Sequence, residues 1–179
     1  MPRRIAAVLC LLALCLATYP AAAESTPSVN AELIAYYGKS RSYRRVRRDV
    51  LSWHKTTRNG CVAFVSTALR HIGYDIPQRG KLDGWGVSRI TFAFSAHLEN
   101  AGWTRSNDVA GLRPGDIVFT QGYPDHVFVF HSWASERRRI ARVIDNKGLR
   151  IRRAMVPAPD SDTAAFAYVL RAPQRARLR

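Results

Sequence analysis

Arg113-Pro114-Gly115-Asp116-Ile117-Val118-Phe119 divides the chain. Pro-Gly-Asp is turn chemistry: proline presets φ, glycine tolerates backbone conformations closed to other residues, and aspartate bonds nearby backbone N–H groups. The apolar run behind it is β-branched and aromatic, which suits a strand. Downstream the same period recurs at 126–133, 140–145, 149–153 and 165–170, so about five strands are expected. Upstream the apolar spacing is helical. Helices first and an antiparallel meander afterwards predict an α+β fold with the helices on one side of the sheet.

Working back towards the N-terminus, Ser88 opens a helix that runs to about Asn100, with Ile90, Phe92, Ala93, Phe94 and Leu98 as its apolar face and Gly102 closing it. His97 on it reads as a packed or surface histidine. Residues 74–87 hold Pro77, Gly80, Gly84, Gly86 and Trp85, and so read as a loop that suits one wall of a cleft. Before that loop stands Arg58-Asn59-Gly60-Cys61-Val62-Ala63-Phe64-Val65-Ser66. Gly60 breaks what precedes it, and Cys61, Val65, Ala68 and Ile72 then form one helical stripe up to Gly73. Two further helices come first, one capped by Asn30 and ending at Gly38, the other at 42–55. The second carries Arg44, Arg45, Arg47 and Arg48, a solvated basic face or a contact for an anionic surface.

The first 23 residues read as a signal peptide: Arg3-Arg4, an apolar run, then Ala21-Ala22-Ala23, with cleavage expected after Ala23 and a secreted or periplasmic destination. The expected organisation is a signal peptide at 1–23, an N-terminal helical segment at 24–55, a catalytic domain at 56–171 and a basic tail at 172–179. Past the leader no apolar run is long enough to span a membrane. The mature chain keeps 26 basic and 13 acidic residues, a net charge of +13 that draws it towards polyanions. No nucleic-acid reader motif accompanies that charge, so an anionic envelope polymer is the expected partner, and the oligomeric state is not encoded.

Of three cysteines, Cys10 and Cys15 fall in the leader, leaving Cys61 as the single thiol of the mature chain. A thiol in a first helical turn meets the positive end of the peptide dipoles and free N–H groups, which favour thiolate. It is equally a small hydrophobe on an apolar stripe. A nucleophilic reading needs a base and a group to orient that base. His126 opens a strand at a sheet rim, whereas His131, five residues on, points to the other face. For the orienting group Asp145, Asn146 and His131 compete. A hairpin looping through Ala134-Ser135-Glu136-Arg137 sets Trp133 opposite Arg138 and His126 opposite Asp145, which makes Asp145 the expected orienting group. A one-residue change of register substitutes Asn146. A metal site of Asp125, His126 and His131 matches no ligand spacing, and the chemistry calls for no metal or organic cofactor.

Taken together, the cysteine opening a helix, the Pro-Gly-Asp run into a first strand and the histidine opening the next strand resemble the NlpC-type cell-wall peptidases and their CHAP-type amidase relatives. The resemblance covers residues 59–147, and Asn59-Gly60-Cys61 is nearer to the CHAP-type form. Asp49 stands where NlpC-type members often place a tyrosine. The resemblance implies a papain-like core and cleavage of amide or peptide bonds of peptidoglycan through a thioester, with Cys61 as nucleophile and His126 as base. A catalytically silent wall-binding module of the same fold, or an exported toxin or acyltransferase using the same residues, fits the sequence as well.

Overall fold

The computed structural model describes residues 28–121, 126–158 and 163–173. The expected signal peptide, the turn containing Asp125 and most of the basic tail lie outside these residues. Four helices come first in the helical half: α1 (Val29–Tyr37), α2 (Ser40–His54), α3 (Cys61–His71) and, after a two-residue hairpin of β1 (Lys81–Leu82) and β2 (Trp85–Gly86), α4 (Thr91–Asn100). Six strands follow: β3 (Thr104–Ser106), β4 (Ile117–Thr120), β5 (Val127–Ser135), β6 (Ile140–Asp145), β7 (Gly148–Ala154) and β8 (Phe166–Arg171). The fold is α+β with an antiparallel sheet.

The sheet corrects the expected meander. Its order is β3-β8-β4-β5-β6-β7, so only β4 to β7 are sequential neighbours, while β8 returns to pair with β4 and carries β3 on its outer side. β3 was not expected because Thr104-Arg105-Ser106 has no apolar alternation. It exists through its ladder with 169–171. The expected 74–87 loop likewise contains the β1–β2 hairpin.

Alternation along the strands separates two cores. Ile117, Phe119, Val127, Val129, Ile144 and Leu170 join residues of all four helices in one buried cluster, so the helices do lie on one side. Val118, Phe128, Phe130, Val143 and Val169 form the second, closed by Leu112 and Met155. Residues of α1 and α2, Leu33, Tyr37, Val46 and Val50 among them, are buried in the same cluster as α3.

The Pro-Gly-Asp turn ties these layers together. Gly115 has φ +90, and a Cβ there would overlap the carbonyl oxygen of Asn30 and lie 2.6 Å from its carbonyl carbon, so this turn needs glycine. Asp116 is fully buried and accepts hydrogen bonds from Asn30 Nδ2 (3.3 Å), the Arg113 N–H (2.9 Å) and both Nε and Nη2 of Arg171 (3.1 and 2.8 Å). Asn30 therefore does not cap α1 as expected. Ser28 does, accepting from the Ala31 N–H at 3.2 Å, and Asn30 is buried in the first turn with its amide spent on Asp116 and Ala172. Ser88 is not the cap of α4 either, because its hydroxyl donates to the Pro77 carbonyl at 3.0 Å and the helix starts at Thr91.

The β5–β6 hairpin also differs from expectation. Its turn occupies 136–139, two residues later than expected, with Ser135 paired to Ile140. Two bulges in β5, at His131 and Ala134, then change the pairing, so that Phe130 faces Val143 and Val129 faces Ile144. Continued along β5, this register sets Asp145 against Phe128, and His126 stands one same-face step away rather than directly opposite.

Candidate active site

Asn59 takes φ +53, a left-handed turn that asparagine tolerates better than most residues, and Gly60 then leads into α3 with no side-chain cap. Cys61 is consequently the first helical residue, with its sulfur at the end of the helix where N–H groups lack intrahelical partners. It is a free thiol, buried but not sealed, 8% exposed. The Asn59-Gly60 turn is braced from the sheet, because Asn146 Nδ2 donates to the Thr57 carbonyl at 2.7 Å.

His126 directly precedes β5. Its backbone is fixed by Thr120, whose hydroxyl oxygen accepts the His126 N–H at 3.1 Å and whose N–H donates to the His126 carbonyl at 3.0 Å. Its ring lies 5.9 Å from that of Phe128. Nε2 is 2.8 Å from Asp145 Oδ2, and the thiol of Cys61 is hydrogen-bonded to the same imidazole. With Nε2 engaged by the carboxylate, Nδ1 is the nitrogen left for sulfur.

Asp145 ends β6 and has no solvent exposure. Its other oxygen accepts the N–H groups of Lys147 (2.7 Å) and Gly148 (3.2 Å) in the β6–β7 turn, and its carbonyl accepts the Tyr43 hydroxyl at 3.1 Å. The carboxylate is thus held from both sides, and its orientation is imposed on the imidazole.

Electrostatics push the pair towards thiolate and imidazolium. Burial alone would raise the Cys61 pKa, but the hydrogen bond and charge of His126 and the N–H groups of Val127 and Val62 outweigh it and hold the thiol below its ordinary value. Burial alone would lower the His126 pKa, and hydrogen bonds to Asp145 and Cys61 with their charges outweigh that and hold it above.

Cys61, His126 and Asp145 are thus brought together, and the other candidates for the orienting group go elsewhere. Asn146 spends its NH₂ on the loop before α3, with its Oδ1 buried and unpartnered. His131, at a bulge, bonds Ser132 Oγ at 3.0 Å, and burial with the charges of Arg150 and Arg142 lowers its pKa. Asp49 is 2.6 Å from His71 at the last residue of α3, about 15 Å along the helix from Cys61, so it contributes nothing to the site. No group of three His, Cys, Asp or Glu side chains among the described residues could hold a metal ion, and no helix among them is long and apolar enough to cross a membrane.

The thiol and imidazole open into a cleft of about 620 Å³. Trp85 of the β1–β2 hairpin and Phe92 of α4 form one wall, both more than half exposed with rings 5.3 Å apart, as the loop's composition suggested. Arg89, Lys147 and Arg153 supply cations, which the sequence analysis did not single out. Period-two alternation sets Arg153 with Ile151 on the face opposite Arg150 and Arg152, but only the folded register brings that face to the cleft. Compared with protein-family models, curated proteins and solved structures, the chain finds no match.

Proposed function

We propose that the protein is an exported cysteine hydrolase with a papain-like core that cleaves amide or peptide bonds of bacterial peptidoglycan. The observation that carries this reading is the chain of contacts from a first-turn thiol to an imidazole and on to a buried carboxylate, opening into a cleft. Nδ1 of His126 takes the thiol proton, and the Cys61 sulfur forms a bond to the scissile carbonyl carbon. Developing charge on the carbonyl oxygen is met by N–H groups at the start of α3, among which that of Cys61 has no intrahelical acceptor. The imidazolium then protonates the amine as the C–N bond breaks, leaving a thioester. Water, deprotonated by His126, releases the acid and restores the thiol.

Asp145 keeps the proton on Nε2 and stabilises the imidazolium that forms. The choice of substrate is supported by the resemblance in three motif blocks and by the basic chain, whose charge concentrates it on an anionic wall. Incubating purified peptidoglycan with wild-type and Cys61→Ala protein, followed by mass spectrometry of the soluble products, tests it. Wild type should release fragments with new amine and carboxyl ends and the variant none. Equal release by both would refute the reading, and wall binding without release by either would favour the silent module.

A further inference from the structure

Arg153 is the one of the three cleft cations whose side chain is drawn partly inward with no hydrogen-bond or ion-pair partner among the described residues. It projects from β7 into the cleft that contains Cys61 and His126, with its Nε buried and lacking any hydrogen-bond acceptor. No hydrogen bond or ion pair joins it to any described residue, and the Phe128 ring 5.1 Å from its guanidinium carbon supports the flat face of the group. Other partly buried arginines are satisfied: Arg70 donates to Ile76, Thr67 and Ser88, and Arg171 grips Asp116. A guanidinium whose buried Nε has no acceptor and whose fork is unused carries a cost that an incoming anion removes. A carboxylate offers two acceptors in one plane, which matches that fork, and among the described residues no acidic side chain lines the cleft to compete for it.

We propose that Arg153 binds a carboxylate of the substrate beside the scissile bond, making the cleft selective for amides that carry an acidic group within reach of Cys61. This rests on the reading of Cys61 as the nucleophile. The alternative role is internal, with Arg153 balancing the charges of Asp145 and the Cys61 thiolate, both of which it feels and both of which act against the lowering of its pKa by burial. Against that stands the geometry of Asp145, whose oxygens hold His126 and two backbone N–H groups and accept no hydrogen bond from Arg153. A compensating arginine would be expected to touch one of the charges it balances.

Two reagents of nearly one shape separate these roles. Iodoacetate and iodoacetamide both alkylate a thiolate, but only the first carries a carboxylate. In the full chain, Arg153→Gln should lower the ratio of the iodoacetate rate to the iodoacetamide rate at Cys61 by about tenfold or more, the value of a charge-assisted hydrogen bond, and Arg153→Lys should retain part of it. An unchanged ratio overturns the proposal, and so does an equal fall in both rates, which would assign Arg153 to the thiolate. If Cys61 of the wild type reacts with neither reagent until unfolded, the nucleophile itself is refuted and the proposal falls with it, by a different observable. Should the glutamine variant not fold, wild type decides. Soluble peptidoglycan fragments whose carboxyl groups have been converted to amides should be cleaved at least about tenfold more slowly than untreated ones, and equal rates overturn the proposal.

Discussion

Replacing Asp145 by asparagine changes one oxygen to NH₂ at almost constant volume, and the contacts around it dictate the outcome. In one orientation the remaining oxygen keeps the Lys147 and Gly148 N–H groups, and the new NH₂ faces His126 Nε2. Nε2 must then be an acceptor, so the proton moves to Nδ1 and that nitrogen can no longer take one from the thiol. In the other orientation the oxygen accepts from Nε2 and the NH₂ points at two backbone donors, losing both hydrogen bonds at about 1–3 kcal/mol each. The buried site has no water-facing third choice, since Asp145 is fully enclosed. Either the base has the wrong tautomer or the turn is strained by about 2–6 kcal/mol. Loss of the stabilised imidazolium adds to both, and a tautomer block of this kind elsewhere costs about four orders of magnitude in turnover. We expect Asp145→Asn to lower kcat on peptidoglycan fragments by about 10²–10⁴ with thermal unfolding still cooperative. Asn146→Ala, whose amide braces Thr57 and does not touch the imidazole, should cost less than about tenfold. The assay is release of new amine ends by the folded variants. Retention of activity within tenfold by Asp145→Asn, or a reversal of the two effects, would refute the assignment of the orienting group.

The pKa shifts of Cys61 and His126 give the pH dependence its sign. With the thiol held below its ordinary value, iodoacetamide alkylation should rise through an inflection under ~8.5 in wild type and move upward in His126→Ala; identical inflections would mean the pair is uncoupled. The coupled pair is active while it holds one proton between sulfur and imidazole, so kcat/KM should be bell-shaped, falling as the pair gains a second proton at low pH and as it loses the last one at high pH. For stability, Gly115→Ala adds a Cβ against the Asn30 backbone at positive φ and should lower Tm by about 10 °C, from about 1–3 kcal/mol of strain and as much again of overpacking. Gly73→Ala, also at positive φ but with nothing within 4 Å, should cost only the strain, and equal shifts in the two variants would contradict the account of the turn.

What the sequence made legible was local. A glycine before an apolar run at helical spacing places the start of α3, and the period-two runs at 117–119 and 126–133 place β4 and β5, because both signals arise from each segment's own covalent geometry. Cys61 and His126 were legible for the same reason, each standing at the start of an element. β3 was not, since three polar residues become a strand only when β8 arrives from 60 residues away to pair with them. The Pro-Gly-Asp run was legible as a turn but not as a junction. Its glycine is required by the backbone of α1 and its aspartate by an arginine on β8, and neither partner can be read locally. Arg153 was hidden because its distinction lies in having no hydrogen-bond or ion-pair partner among the described residues, which only a filled-in environment can reveal.

Asp145 is the instructive case, because the contact formed although the register expected for it was wrong. Moving the β5–β6 turn two residues later shifts the pairing by four, and the bulges at His131 and Ala134 each take back one, leaving a net shift of two. Side chains alternate along a strand with period two, so an even shift slides Asp145 along the sheet without turning it over. Direct opposition becomes a diagonal, a gap an imidazole is long enough to close, and Nε2 reaches the carboxylate at 2.8 Å. With one bulge fewer or one more the shift would be odd, and the face presented to His126 would carry Asn146 instead. The choice between an acid and an amide at this site therefore rests on two bulged residues in β5 that touch neither the thiol nor the carboxylate.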